Sequence, residues 1–178
     1  MSILKVARMG HPVLRQKTRA VDKHEIRTPE FQKLINDMID TMDEYSGIGL
    51  AAPQVHETRR LFVAVLDPEG RGEGEPVALI NPEITALSRD MVEGWEGCLS
   101  IPDIRGRVPR CPHIKVSALT REGKRLELEV RDFPARVIQH ETDHLDGVLF
   151  LDRMRSYDSL TFLEEYSRYH VRRDDDEE

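Results

Sequence analysis

The sequence predicts an α+β fold: antiparallel β-sheets packed around a central helix that carries an H-E-x-x-H pattern, with an amphipathic helix before them and another helix near the C-terminus. Three observations lead to it. Residues 30–45 repeat apolar side chains at helical spacing. Residues 125–131 alternate apolar and charged side chains with period two. Strand-like runs follow one another between helical segments instead of alternating with helices one for one, which argues against a doubly wound parallel sheet.

In chain order, Thr28 before Pro29 predicts a helix N-cap with proline at the first helical position. Phe31, Leu34, Ile35, Met38, Ile39 and Met42 then mark one apolar face, and its methionines read as core filler. Leu61 to Asp67, Val77 to Ile80 and Ile114 to Thr120 are short apolar runs that predict strands. In 125–131, Leu126, Leu128 and Val130 face one way and Glu127 and Glu129 the other. The Arg121-Glu122-Gly123-Lys124 segment between the last two runs predicts a hairpin turn. A second helix is predicted from about Phe133-Pro134 to a closing Gly147, and a third from about Ser159 to His170.

The length of 178 residues suits a single domain spanning 1–178 with a core that needs no staples. The formal charge is −7, and Asp174 to Glu178 supply five of those charges. Residues 173–178 therefore read as a disordered acidic tail, and the nearly neutral remainder argues against a nucleic-acid-binding surface. Two cysteines, Cys98 and Cys111, rule out a disulfide scaffold and fit a reducing compartment. No apolar stretch is long enough for a signal peptide or a membrane span. The reading is a cytoplasmic protein.

His140-Glu141-Thr142-Asp143-His144 is the most telling stretch. On a helix, residues four apart share a face, so two imidazoles can hold one metal ion with Glu141 beside its open position. Polar groups on a helix that also carries Val137, Ile138 and Leu145 would be costly to bury without such a partner. Phe150 stands where a metzincin protease would have a third histidine. Glu164 and Glu165 follow at a distance that mimics a two-His, one-Glu zinc endopeptidase, but no motif surrounds them. Cys111 and His113 could form a local pair. Cys98 has the better setting, beside Gly97, in what reads as a loop after Trp95-Glu96.

Three segments together resemble the signature motifs of peptide deformylases, in the same order and spacing. They are Gly47-Ile48-Gly49-Leu50-Ala51-Ala52-Pro53-Gln54-Val55, Glu96-Gly97-Cys98-Leu99-Ser100, and Gln139-His140-Glu141-Thr142-Asp143-His144-Leu145-Asp146-Gly147. Gly10-His11-Pro12-Val13-Leu14-Arg15 is similar to the family's N-terminal segment, and the resemblance runs from about residue 3 to residue 155.

The resemblance implies removal of the N-formyl group from the formyl-methionine of new polypeptides, with release of formate. It implies Cys98, His140 and His144 as ligands of one divalent ion, Fe²⁺ first, with Zn²⁺, Ni²⁺ or Co²⁺ as possible occupants, and water in the fourth place. Glu141 would be the base that activates this water and the acid that protonates the departing amine. The backbone N–H at Leu99 and the side-chain amide of Gln54 would stabilise the charge that grows on the formyl oxygen. Gly47, Ile48 and Gly49 would pair with the peptide main chain, near Gly97, with Ile48 and Val137 shaping an apolar methionine pocket and Arg105 contacting the peptide. Arg136 departs from the apolar residue many relatives have, and Trp95 reads as core or pocket rim. The implied partners are nascent formyl-Met chains and the region near the ribosome exit, with neither membrane nor sequence-specific nucleic-acid binding. The alternatives to this enzyme are the zinc endopeptidase and a non-catalytic metal-binding module.

Overall fold

Thr28 does cap the first long helix. Its hydroxyl accepts from Phe31 N at 3.3 Å, and Pro29–Glu44 (α2) follows the short turn Lys23–Ile26 (α1). Phe31, Ile35, Met38 and Met42 of α2 are fully buried, and each such side chain stabilises the fold by about 1.5–3 kcal/mol. The structure, a computed structural model, describes residues 2–67 and 74–171. The acidic tail expected at 173–178 lies outside the described residues.

Helix α2 lies on a five-stranded antiparallel sheet. Its strands are Gly49–Ala51 (β1), Leu61–Ala64 (β2), Val77–Ala86 (β3), His113–Leu119 (β6) and Arg125–Arg131 (β7), in the order β1-β2-β3-β6-β7. A smaller sheet holds Val92–Cys98 (β4), Ile101–Arg110 (β5) and Thr161–Phe162 (β8). Asp132–Leu145 (α3) carries the H-E-x-x-H, and Phe150–Arg153 (α4) and Leu163–Tyr169 (α5) complete the chain. Among the described residues, no helix is long and apolar enough to cross a membrane.

Strand β2 explains why its sequence is apolar at every position. Leu61 and Val63 face the core built with α2, whereas Phe62 and Ala64 face a second core with Ala135, Val137, Ile138 and Leu145 of α3. Both faces are covered, so the alternation of a one-sided strand disappears. A third cluster places Cys98, Ile101 and Val108 of the smaller sheet against Leu14, Leu149 and Phe150. Helix α3 thus has an apolar face on the larger sheet and a polar face toward β4 and β5.

Several boundaries differ from the sequence expectation. The strand expected to reach Asp67 stops at Ala64. The strand expected to end at Ile80 continues to Ala86, past a register shift between Ile80 and Glu83 that accommodates Pro82. Cys98 is the last residue of β4 and not in a loop, and it pairs with Ile101. Gly94, Gly97, Pro102, Gly106 and Pro109 interrupt any period in β4 and β5, which hides both strands. The last helix begins only at Leu163, because Thr161 and Phe162 pair with Arg105 and Ile104 of β5.

Candidate metal centre

Cys98, His140 and His144 come together although 41 residues lie between the cysteine and the first histidine. One ligand atom from each lies within 4.8 Å of the others. The Cys98 Sγ is 3.2 Å from His144 Nε2. The His140 and His144 rings, one helical turn apart on α3, are 5.0 Å between centroids. His140 Nδ1 is 2.8 Å from Glu96 Oε2. An ionised carboxylate only accepts, so Nδ1 carries the proton and Nε2 is left free for a ligand.

Electrostatics favour a cation between these groups. Burial alone would push the Cys98 thiol up, but the His144 and His140 rings outweigh it and hold the thiol well below its usual range. Burial would push His140 down, yet Cys98 and Glu96 raise it well above the ordinary value. Glu96 is likewise held well below the carboxylate range, against its burial, by His140 and Arg110. A thiolate and a carboxylate are buried here with positive charge on the imidazole side. A divalent ion among one thiolate and two imidazole nitrogens would supply that charge, and this donor set suits zinc, iron, nickel and cobalt.

Glu141 is buried at 4% exposure. Burial pushes its carboxyl up to about 7, against the pull of His140 and His144, and a bound cation would bring it back down. Among the described residues its Oε2 has no hydrogen-bond partner. An orphan carboxylate oxygen beside three ligand atoms is placed to hold a proton that no protein group claims. Gly49 lies against it, and a Cβ at this position would overlap the Glu141 carboxylate.

The Gln54 amide is fixed in orientation. Its Oε1 accepts from Ala51 N at 2.8 Å, so its Nε2 donates toward Cys98 Sγ at 3.5 Å and Ser100 Oγ at 3.2 Å. Gly97 faces four residues of β5, Pro102 to Arg105, where the register jumps from Glu96↔Gly106 to Cys98↔Ile101. This bulge lays the Arg105 guanidinium over Gly97, in space a Cβ would fill.

A cavity of about 650 Å³ opens on the centre. Gly47, Ile48, Gly49, Gln54, Gly97, Cys98, Leu99, Arg105, Val137, His140 and Glu141 all line it, and His144 joins through its contact with Cys98. Arg136 also lines it, but its guanidinium is turned back onto the smaller sheet. It donates to Val92 O and Glu96 Oε1 at 2.8 Å and to Val108 O at 2.7 Å. Glu164 and Glu165 do not line the cavity and instead engage Arg168 on exposed α5. Cys111 is buried, with its thiol donating to His113 O at 3.0 Å.

Sequence reasoning missed the support behind the histidines. Arg110 grips Glu96 with two nitrogens, at 2.9 and 3.0 Å, and Asp143 at 2.5 Å, while Arg153 holds Asp143 from outside at 2.7 Å. Asp143 lies inside the H-E-x-x-H, so an acid at this variable position was the available signal. The contributions of Phe133, Leu163 and Tyr166 to the cavity had no such signal.

Comparison with known proteins places this geometry. The family model described as Polypeptide deformylase matches residues 3–159. Peptide deformylase 2 of Nostoc sp. is 45% identical over 168 residues, covering 92% of this chain and 93% of that protein. The peptide deformylase of Salinibacter ruber is 46% identical over 163 residues, covering 87% and 82%. A Met-Ala-Ser-bound crystal structure of the class I type b peptide deformylase of Acinetobacter baumannii superposes with a TM-score of 0.80 at 40% identity, over 86% of this chain and all of that one.

Proposed function

This chain belongs to the polypeptide deformylase family, and from that premise we propose how its own residues do the work. Enzymes of this family hydrolyse the N-formyl group from the start of nascent polypeptides, and the chain is a metal-dependent hydrolase of this kind. In our reading Cys98, His140 and His144 hold one divalent ion, Fe²⁺ in the cell, with Zn²⁺, Ni²⁺ or Co²⁺ as substitutes. The observation that carries this is the cluster of three ligand atoms within 4.8 Å beside a buried, unpartnered Glu141 oxygen. When bound, the ion supplies a Lewis acid that makes water more acidic and polarises the formyl oxygen.

The remaining work falls to the protein. Glu141 takes the proton of the attacking water and delivers it to the departing amine, the general-base and general-acid task of a carboxyl group held beside the reacting centre. The Gln54 Nε2 and the Leu99 N–H donate to the formyl oxygen as charge grows there, and Gln54 cannot rotate away because Ala51 N holds its oxygen. The peptide adds as a strand beside β1, the outermost strand of its sheet. This pairing reads main chain and accepts any sequence. The methionine side chain enters beside Ile48 and Val137, with Gly47 and Gly49 allowing the close approach and Arg105, over Gly97, holding the peptide. Met-Ala-Ser bound to the Acinetobacter relative is the peptide that such a reaction leaves. We take residues 1–178 as one domain working in the cytoplasm on chains leaving the ribosome. The contact with the exit region rests on the substrate alone, since Arg168 on α5 already engages Glu164 and Glu165.

The test is anaerobic metal analysis paired with formate release from formyl-Met-Ala-Ser. We expect close to one metal per chain and rapid release, whereas a fully loaded protein that leaves the peptide intact would overturn the reading. Two further outcomes are expected. Gly49→Ala should lower kcat by about a hundredfold, because the methyl displaces the Glu141 carboxylate by a large fraction of an ångström. Its metal content should stay normal, and unchanged turnover would mean that Glu141 has room to move. The iron-loaded enzyme should also lose activity in air several times faster than the nickel-loaded one, since Fe²⁺ and the Cys98 thiolate are both oxidisable. Equal decay of the two forms would count against an iron–thiolate centre.

A further inference from the structure

Leu99 and Ser100 form the turn between β4 and β5, where Cys98 pairs with Ile101. Turns of this kind tend to be among the least protected parts of a fold. Here Ser100 is fully buried, and a segment from the N-terminal end of the chain pins it. Met9 N donates to Ser100 O at 2.8 Å. Two residues earlier, Ala7 N donates to Gln54 O at 2.7 Å. Amides two apart in an extended chain point the same way, so one short strip joins the Gln54 main chain to the turn that contains Leu99. Val6 and Arg8 of the strip line the cavity, and Ala7 packs in the cluster that holds Cys98.

The strip is anchored at both ends. Leu4 N donates to Thr41 Oγ1 of α2 at 2.9 Å. Beyond Met9, Arg8 O accepts from His11 N at 3.0 Å around Gly10, whose φ is +103°. That is a type II turn with Met9 at its second position. Donors to a developing oxyanion help only when their places are set in advance. Gln54 and Leu99 belong to separate segments, so their spacing depends on what ties those segments together. The Gln54 Nε2 contact with Ser100 Oγ at 3.2 Å is one tie, but it uses the very group that must face the substrate. The strip ties the two main chains and spends neither donor.

We propose that the strip Ala7–Met9 positions the two donors to the formyl oxygen, and that the Met9 N–H, through Ser100 O, holds the turn that presents the Leu99 N–H. This rests on the deformylase reading. Met9 acts as a positioning residue through its backbone, while its side chain is 49% exposed.

The experiment uses Met9→Pro in the full-length, metal-loaded enzyme. Proline deletes the N–H and suits the second position of a type II turn. On formyl-Met-Ala-Ser, kcat should fall about tenfold, a fraction of the hundredfold or more lost when such a donor is removed outright. Affinity for Met-Ala-Ser, which lacks the formyl group, should stay within about twofold, and metal content should not change. Met9→Ala restores the N–H and should restore the parent kcat. A folded Met9→Pro enzyme with the parent kcat would overturn the positioning role. So would a loss shared by Met9→Ala, or one accompanied by weaker Met-Ala-Ser binding or missing metal. If Met9→Pro does not fold, Gly10→Ala decides. A Cβ at Gly10 meets nothing within 4 Å, so its strain falls on the turn alone, and kcat should fall about threefold. A parent-like kcat in that variant would equally overturn the role. All these outcomes leave the deformylase reading intact, whereas an unaltered enzyme that releases no formate would remove both.

Discussion

Replacing Glu141 with alanine should leave the metal bound and lower turnover of formyl-Met-Ala-Ser by at least about a thousandfold. The carboxylate lies next to the ligand cluster but supplies none of its three ligand atoms, so metal content measured by mass spectrometry should remain near that of the unaltered enzyme. The acid is buried, and one of its oxygens has no partner among the described residues. Such a group destabilises the fold that contains it. The variant should therefore melt no lower than the parent, as expected where activity is kept at some expense to stability. Turnover within a factor of about ten of the parent would show that another group moves the proton.

Cys98→Ala should have a comparable effect on activity by a different route. It removes the sulfur that faces His144 Nε2 at 3.2 Å. Metal affinity should fall by more than about a hundredfold, exceeding the loss typical when only an outer hydrogen-bond partner of a ligand is removed. Chelator competition with cobalt or nickel would measure this directly. The same experiment tests the endopeptidase alternative, in which Glu164 or Glu165 would be the third ligand and Cys98 dispensable. On α5, Glu164 is exposed and Glu165 half-buried, and both engage Arg168. A variant that keeps its metal with normal affinity would revive that alternative.

The parts of the fold legible in the sequence are those where one local rule acts alone. Helix α2 has a cap, a proline at its start and an uninterrupted apolar face. Strand β7 has strict alternation because only one of its faces is covered. The H-E-x-x-H is readable because helical spacing alone brings its histidines together. The parts that were not legible depend on contacts distant in sequence. The thiol arrives on a strand broken by glycines, and nothing local distinguishes it from a core cysteine. The Arg110 bridge between Glu96 and Asp143 joins three elements. Strand β8 exists only because the bulge in β5 offers an edge at Ile104 and Arg105.

The two-sided strand β2 has a consequence for how the protein comes apart. Leu61 and Val63 complete the interior under α2, while Phe62 and Ala64 complete the one under α3. Neither half owns a hydrophobic interior that would survive removal of the other. Opening of the N-terminal helix would strip one face of the sheet against which the metal-bearing helix rests. Denaturation should thus be a single cooperative event, with loss of helix and loss of tertiary packing coinciding.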